Sequence, residues 1–290
     1  MDRPIRLIVN PFAGGGRAAR LLPAVEMALR SHGFPFRVDR TRSIEHAREL
    51  ACAARDAGEL AVAMGGDGLA GAVAGELHGT EAAMGVLPGG RGNDLARKLE
   101  IGHDPVAAVD ILAAGNERRI DVAEAGGRVY VGILSAGFDS DVNAIANATR
   151  LPLGTQVYAY GALRALWRWR PADWEVSVDG APHAFTGYAV AVANSGVFGG
   201  GMWLVPDARL DDGLLDVAFT ADQPKRSYLR GLNKVFKGTH VDEPGFTIVR
   251  GREITFRADR PFTAYADGDP IADLPTTVRV LAGALRVIAP

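Results

Sequence analysis

Two aspartates lie inside glycine-rich loops: Asp67 in Gly65-Gly66-Asp67-Gly68 and Asp94 in Pro88-Gly89-Gly90-Arg91-Gly92-Asn93-Asp94. A third loop, Asn10-Pro11-Phe12-Ala13-Gly14-Gly15-Gly16, has the glycines without the acid. Glycine lets backbone N–H groups approach phosphate oxygens, and a following helix N-terminus adds partial positive charge. A carboxylate in such a loop repels phosphate unless a cation lies between them. Two carboxylates beside a phosphate cradle suit magnesium-assisted phosphoryl transfer. One such loop alone reads as a tight turn whose aspartate caps a helix; three on one edge favour phosphate binding. Gly66, Gly68 and Gly71 also spell a literal G-x-G-x-x-G. A dinucleotide fingerprint follows the first strand and wants an acid about 20 residues later. Here the loop follows the third strand, and the next strand ends in Leu87-Pro88-Gly89-Gly90, so the context fails. The P-loop pattern with its Lys-Ser/Thr is absent.

Short apolar runs place these loops. Strands are predicted over Ile5–Val9, Phe34–Val38, Leu60–Met64 and Met84–Leu87. Helices are predicted to about Ser31, over Ser43–Ala57 with Ser43 as cap, over Leu69–Leu77, to about Leu99, and over Pro105–Ala113. Alternating strands and helices make a doubly wound parallel sheet covered on both faces, and ligands bind at the carboxyl edge of such sheets. From near Arg118 the pattern changes to β-rich runs: Arg119–Glu124, Val129–Ser135, Trp174–Val178, Ala184–Ala193, Leu214–Phe219, Phe246–Val249, Glu253–Ala258, Thr263–Ala266 and Thr277–Ile288. Turn residues punctuate them, which suggests an antiparallel sandwich. Helical segments interrupt it near Tyr158–Arg168 and Lys225–Lys237. The expected division is an α/β domain over 1–122 and an all-β sandwich over 123–282, with a tail of about 283–290 returning to the first.

The chain has 290 residues, a length comfortable for two domains. A formal net charge of -2 argues against a nucleic-acid binder. Cys52, the only cysteine, excludes an intrachain disulfide and fits a reducing, cytoplasmic setting; its helical neighbours mark it as a packing residue. The N-terminus lacks a signal-peptide pattern, and no apolar run spans a bilayer, so any membrane contact is expected to be peripheral. No histidine pair has metal-ligand spacing and no G-x-S-x-G elbow occurs, which sets aside zinc catalysis and serine hydrolysis.

The motif series resembles the diacylglycerol kinase catalytic-domain superfamily, which also holds sphingosine kinases and bacterial lipid kinases. It is carried by NPFAGGGRA at 10–18, GGDGLAGAV at 65–73, LPGGRGNDLAR at 87–97, IDV at 120–122, SAGFDSDV at 135–142, DARLDDGLLDV at 207–217 and DGDP at 267–270, in the family's order. NAD kinases are similar in fold and in the GGDG loop, and less similar in the rest. The resemblance implies ATP between two domains, contacted by Asn10, Thr41, the loop Gly65, Gly66, Asp67, Gly68, Leu69, Ala70 and Gly71, and by Arg91 and Asn93. It implies magnesium held by Asp67, Asp94 and Asp121, partly through water. A second magnesium is implied at the Arg209 and Leu214 carbonyls and the Asp212 carboxylate, although that stretch also reads as an ordinary turn. The family places its catalytic base at the acidic pair Asp267 and Asp269.

Three positions depart from the family pattern. Leu69 follows GGDG where Thr is usual, as in sphingosine kinases. Arg91 replaces a usual Thr, exchanging a hydroxyl for a charge. Asp269 is one methylene shorter than the usual Glu, which favours Asp267 as base with Asp269 in support. The implied reaction moves a phosphoryl group from ATP to a lipid hydroxyl whose proton a carboxylate accepts, with Asp67 essential. Arg17 and Arg91 are candidates for extra positive charge, each weighed against a solvated surface arginine.

Two segments are candidates for lipid contact. Ser227–Lys237 sets Leu229, Leu232, Val235 and Phe236 at helical spacing beside Arg226, Arg230, Lys234 and Lys237. An ordinary packed helix accounts for it equally. Tyr158, Tyr160, Trp167, Trp169 and Trp174 mix with Arg164, Arg168 and Arg170. They suit an interfacial belt or a lid, with core packing as the plainer account. Other functions in view are an NAD-kinase-like nucleotide kinase and a non-catalytic ATP or lipid binder. The acceptor and the oligomeric state stay open, a homodimer included.

Overall fold

A computed structural model describes residues 3–138, 140–142, 145, 164–166 and 169–290, excluding the side chains of residues 229, 230, 232 and 233. Tyr158, Tyr160, Trp167, Arg168 and Asp139 lie outside the described residues, as do the side chains of Leu229, Arg230 and Leu232.

The first layer is a parallel sheet. Strand β1 (Ile5–Val9) pairs with β2 (Phe36–Arg40) and β3 (Leu60–Gly65), and β3 pairs with β4 (Ala83–Pro88). Strands β1, β3 and β4 are buried throughout, as expected of strands covered on two faces. Helix α1 (Ala13–Ser31) packs on α5 (Ala108–Ala114), and α2 (Ile44–Asp56) packs on α3 (Asp67–Leu77). The Ser43 hydroxyl accepts the His46 N–H at 3.2 Å and starts α2 as its type predicts. Strand β2 begins two residues later than expected because the Phe34 N–H closes on the Leu29 carbonyl at 3.1 Å. Helix α1 opens on glycines 14–16 at φ +61°, +67° and +87°, so regular helix starts only after them.

Beyond α4 (Asp94–Lys98) and α5 the strands pair antiparallel with one another. Strands β5 (Glu117–Ala125), β6 (Arg128–Tyr130), β7 (Ile133–Gly137), β8 (Ala172–Val178), β9 (Ala181–Ala193), β12 (Leu215–Ala221), β13 (Phe246–Gly251), β14 (Glu253–Ala258), β15 (Thr263–Ala266) and β16 (Asp269–Asp273) form the sandwich layers. The run Val129–Ser135, expected as one strand, breaks into β6 and β7 at Val131 and Gly132. A short hairpin, β10 (Val197–Phe198) with β11 (Met202–Trp203), lies apart from the main sheet. Helix α6 covers Lys225–Val235.

The long strand β17 (Thr276–Ile288) joins the layers. It pairs antiparallel with β14 and β5, and its end runs parallel to β4 at Arg286–Ala83 and Val287–Met84. The hydrogen-bonded order is therefore continuous, β16-β15-β7-β9-β8-β14-β17-β4-β3-β1-β2. Leu285, Val287, Ile288 and Ala289 are buried in the core of the parallel layer, while Val278 belongs to the sandwich core.

That second core is aromatic. Phe138 makes edge contacts with Trp169 and Tyr228, and Tyr188 stacks on Tyr228 at 4.4 Å. Trp169 and Trp174 are buried here, so these two members of the aromatic stretch pack the core. Cys52 is half-buried, and burial and the neighbouring Glu76 raise its thiol's pKa, consistent with an inert packing residue.

Candidate active site

The three glycine loops converge at the carboxyl ends of β1, β3 and β4. Gly65 accepts hydrogen bonds from Gly89 N (2.8 Å) and Gly90 N (2.9 Å) through its carbonyl. A Cβ on Gly90 would overlap the Gly66 Cα, so backbone lies on backbone and only glycine fits. Asn93 closes the loop: its Oδ1 accepts the Gly90 N–H at 2.8 Å and its Nδ2 donates to the Gly90 carbonyl at 3.1 Å. Asn93 is thus a buried clamp in left-handed backbone (φ 53°), with its side chain engaged inside the loop.

Asp67 opens α3, and its Oδ1 accepts the Leu95 N–H at 3.0 Å. Asp94 opens α4, and its Oδ2 accepts the Gly200 N–H at 2.9 Å. Both carboxylates flank Gly92, where a Cβ would stand 2.9 Å from Asp67 Oδ2 and 3.3 Å from Asp94 Oδ2. Burial raises the Asp94 pKa above the usual carboxylate range; the Gly200 amide opposes this and the Asp67 charge adds to it. Asp94 Oδ1 is buried without a hydrogen-bond partner. A divalent cation would supply that missing partner, so the donor set fits magnesium.

Asp267 approaches α3 from the other domain. It turns at φ 53° between β15 and β16. Its Oδ2 accepts the Val131 and Gly132 N–H groups, both at 3.4 Å, and lies 3.7 Å from where a Cβ on Gly71 would be. Burial, then the Asp67 charge, push its pKa up to about 6 against those amides. Asp269, exposed at the start of β16, stands with Asp267 on a cleft of about 590 Å³ between α3 and the sandwich. Gly68 and Gly71 line the same cleft, as do Arg48, Arg128, Ile271 and Leu281.

The remaining candidates divide. Asn10 forms a local turn through Oδ1 and the Phe12 N–H (3.0 Å), and the buried Thr41 donates its N–H to the Val9 carbonyl (2.8 Å); both end strands at this edge. Leu69 and Ala70 pack their side chains in the core, and both N–H groups donate to the Gly66 carbonyl at 3.1 Å. The Arg17 guanidinium is used on the Pro88 (3.2 Å) and His103 (2.7 Å) carbonyls, whereas Arg91 Nη2 stands 4.0 Å from where a Cβ on Gly15 would be, between two loops.

Asp121 does not join Asp67 and Asp94 in direct contact. Its two oxygens accept the Gly213 and Gly283 N–H groups, each at 2.7 Å, tying the 207–217 turn to β17. In that turn Asp212 Oδ1 accepts the Leu214 N–H (3.1 Å), Asp212 Oδ2 lies 3.8 Å from Arg250, and Arg209 pairs with Asp211 (3.3 Å). Among the described residues no three His, Cys, Asp or Glu side chains gather as a metal cluster. Not expected from sequence were Gly200, which reaches Asp94, and the cleft's Arg48 and Arg128. The run Gly199-Gly200-Gly201 was the one sequence signal for the former.

Residues 4–125 match the family model "Diacylglycerol kinase catalytic domain", and residues 132–289 match "YegS C-terminal NAD kinase beta sandwich-like domain". A diacylglycerol kinase of Mycobacterium tuberculosis (strain ATCC 25618 / H37Rv) is 32% identical, over 99% of this chain and 95% of its own. One from Staphylococcus carnosus (strain TM300) is 25% identical over 100% and 96%. A solved structure named for a diacylglycerol kinase of Bacillus anthracis str. Sterne superposes with a TM-score of 0.84 at 20% identity, covering 99% of this chain and 95% of that one.

Proposed function

Because this chain belongs to the diacylglycerol kinase family, we infer that it transfers the γ-phosphoryl group of ATP, with magnesium, to a lipid hydroxyl, that of diacylglycerol or a related lipid. The observation that carries this is Asp67, which faces Asp94 across Gly92 and whose charge acts on Asp267 of the other domain. Asp67 and Asp94 would hold the cation. Magnesium, when bound, neutralises charge on the phosphate chain. The glycine loops offer backbone to phosphate oxygens, and Arg91 stands between two of them. Asp267, with a proton affinity near neutrality, takes the acceptor hydroxyl's proton; Asp269 supports it from the cleft rim. Asp121 fixes the 207–217 turn, whose Asp212 carboxylate and Arg209 and Leu214 carbonyls are the proposed second magnesium site.

The cleft combines Ile44, Ile271 and Leu281 with charged groups, which suits a polar headgroup carrying the start of an acyl chain. No helix among the described residues is long and apolar enough to cross a membrane. Phe236 is 55% exposed at the end of α6, beside exposed Lys234 and Lys237, and is the proposed peripheral membrane contact. The charged lining of Arg48 and Arg128 favours a nucleotide acceptor as the second reading.

The test is transfer from γ-labelled ATP to a panel of lipid alcohols and NAD, with and without magnesium. Lipid labelling that disappears with chelator and in Asp67→Asn is expected. Label on NAD alone, or full turnover in Asp67→Asn, refutes the assignment.

A further inference from the structure

The short helix α4 commits three side chains to one hairpin of the sandwich domain. Asp94 Oδ2 takes the Gly200 N–H at 2.9 Å. The Arg97 guanidinium packs on Gly201, where a Cβ would stand 3.2 Å from Nη2. Lys98 donates to the Ala208 carbonyl and lies 5.7 Å from the Trp203 ring centroid. Between Val197–Phe198 and Met202–Trp203 the backbone passes through φ +61°, +85° and +108° at Gly199, Gly200 and Gly201, a path that needs glycine. Gly200 also lies over Gly92, its own Cβ position 3.7 Å from the Gly92 Cα, at the point that Asp67 and Asp94 flank.

The arrangement has an electrostatic consequence. Arg97 Nε lies 4.0 Å from Asp94 Oδ1, too far for a hydrogen bond, and both atoms are buried without a hydrogen-bond partner. A guanidinium closed on Asp94 would cancel its charge, whereas a neutral amide orients the carboxylate and leaves the charge intact. The hairpin backbone supplies the amide on one side and holds the guanidinium on the other.

Resting on the reading that Asp67 and Asp94 share magnesium with a nucleotide, we propose that the Val197–Trp203 hairpin is a positioning element for that cation. Gly200 N–H fixes Asp94, and the Gly199–Gly201 backbone keeps Arg97 at 4.0 Å, short of a hydrogen bond to it. The sandwich domain thereby sets the cation affinity of a site whose carboxylates belong to the other domain.

Manganese binding by the full chain, read by electron paramagnetic resonance with ADP present, tests this. Gly200→Ala has room for its methyl but cannot keep φ +85° comfortably, and it should weaken manganese binding about tenfold, the usual effect of losing an outer-shell partner. Arg97→Gln in the same background should restore most of the affinity, which a merely structural defect would not allow. Unchanged manganese affinity in Gly200→Ala, while Asp94→Asn loses it, overturns the hairpin's role and spares the site assignment. Unchanged affinity in Asp94→Asn overturns both. Should Gly200→Ala fold poorly, hydrogen exchange on the unaltered chain reads the same contact. The Gly199–Gly201 amides should exchange more slowly with manganese and ADP than with ADP alone, and equal rates overturn the proposal.

Discussion

The role proposed for Asp267 makes two opposed demands, since a proton acceptor is useful near neutrality only if its environment disfavours its charge. Its pKa of about 6 lies above the unfolded value, so the folded state binds the extra proton between about pH 4 and 6. Stability is therefore highest below that window and is lost as pH rises through it. A shift of about two units corresponds to at most about 3 kcal/mol. Asp267→Asn should raise stability at pH 7.5 by about 1–3 kcal/mol, with little gain at pH 4, and should slow transfer by about 10²–10⁴. Thermal melts at both pH values and the labelling assay check this; no gain at pH 7.5 contradicts the buried-charge account. In the unaltered protein kcat/KM should fall as pH drops below about 6, with a slope of one.

Among elements, the loops after β3 and β4 behave as one unit. Gly90→Ala must push the Gly66 backbone away, and should cost about 1–3 kcal/mol as an overpacking change while spoiling the cradle. Asn93→Ala leaves the Gly90 N–H and carbonyl without their side-chain partner in a buried setting, at about 1–3 kcal/mol. Nucleotide affinity by calorimetry should fall in both. Ser43→Ala is the contrasting case. It should cost α2 about 1 kcal/mol in a denaturant melt and leave nucleotide affinity unchanged, because the cap at Ser43 lies on a helix start that bears none of the site's carboxylates.

At the scale of the whole molecule, β17 binds the two layers together by running from the sandwich core into the parallel core. Asp121 pins that crossing, because its two oxygens take amides from Gly213 and Gly283, residues far apart in the chain. Asp121→Ala leaves two half-buried amides without their partner and should cost about 1–3 kcal/mol, read as a lower denaturant midpoint. The loss should appear in one cooperative transition. Separate melting of a sandwich and an α/β unit would show that the shared strand does not couple them.

Local chemistry made much of this legible in the sequence. The runs Ile5–Val9, Glu253–Ala258 and Thr263–Ala266 are strands over those very residues, because apolar or alternating side chains bury the same faces in any compact arrangement. The glycines around Asp67 and Asp94 announced close backbone approach for the same reason. What sequence could not determine depends on partners distant along the chain. Val131 and Gly132 interrupt a strand-like run because their N–H groups turn to Asp267. The side chains of Leu69 and Ala70 are in the core because α3 starts at Asp67 and turns them inward. Gly200 reaches Asp94 across 106 positions. Local periodicity reports which face is buried; which carboxylate an amide meets, and hence its charge and proton affinity, is fixed only when tertiary packing brings the two domains together.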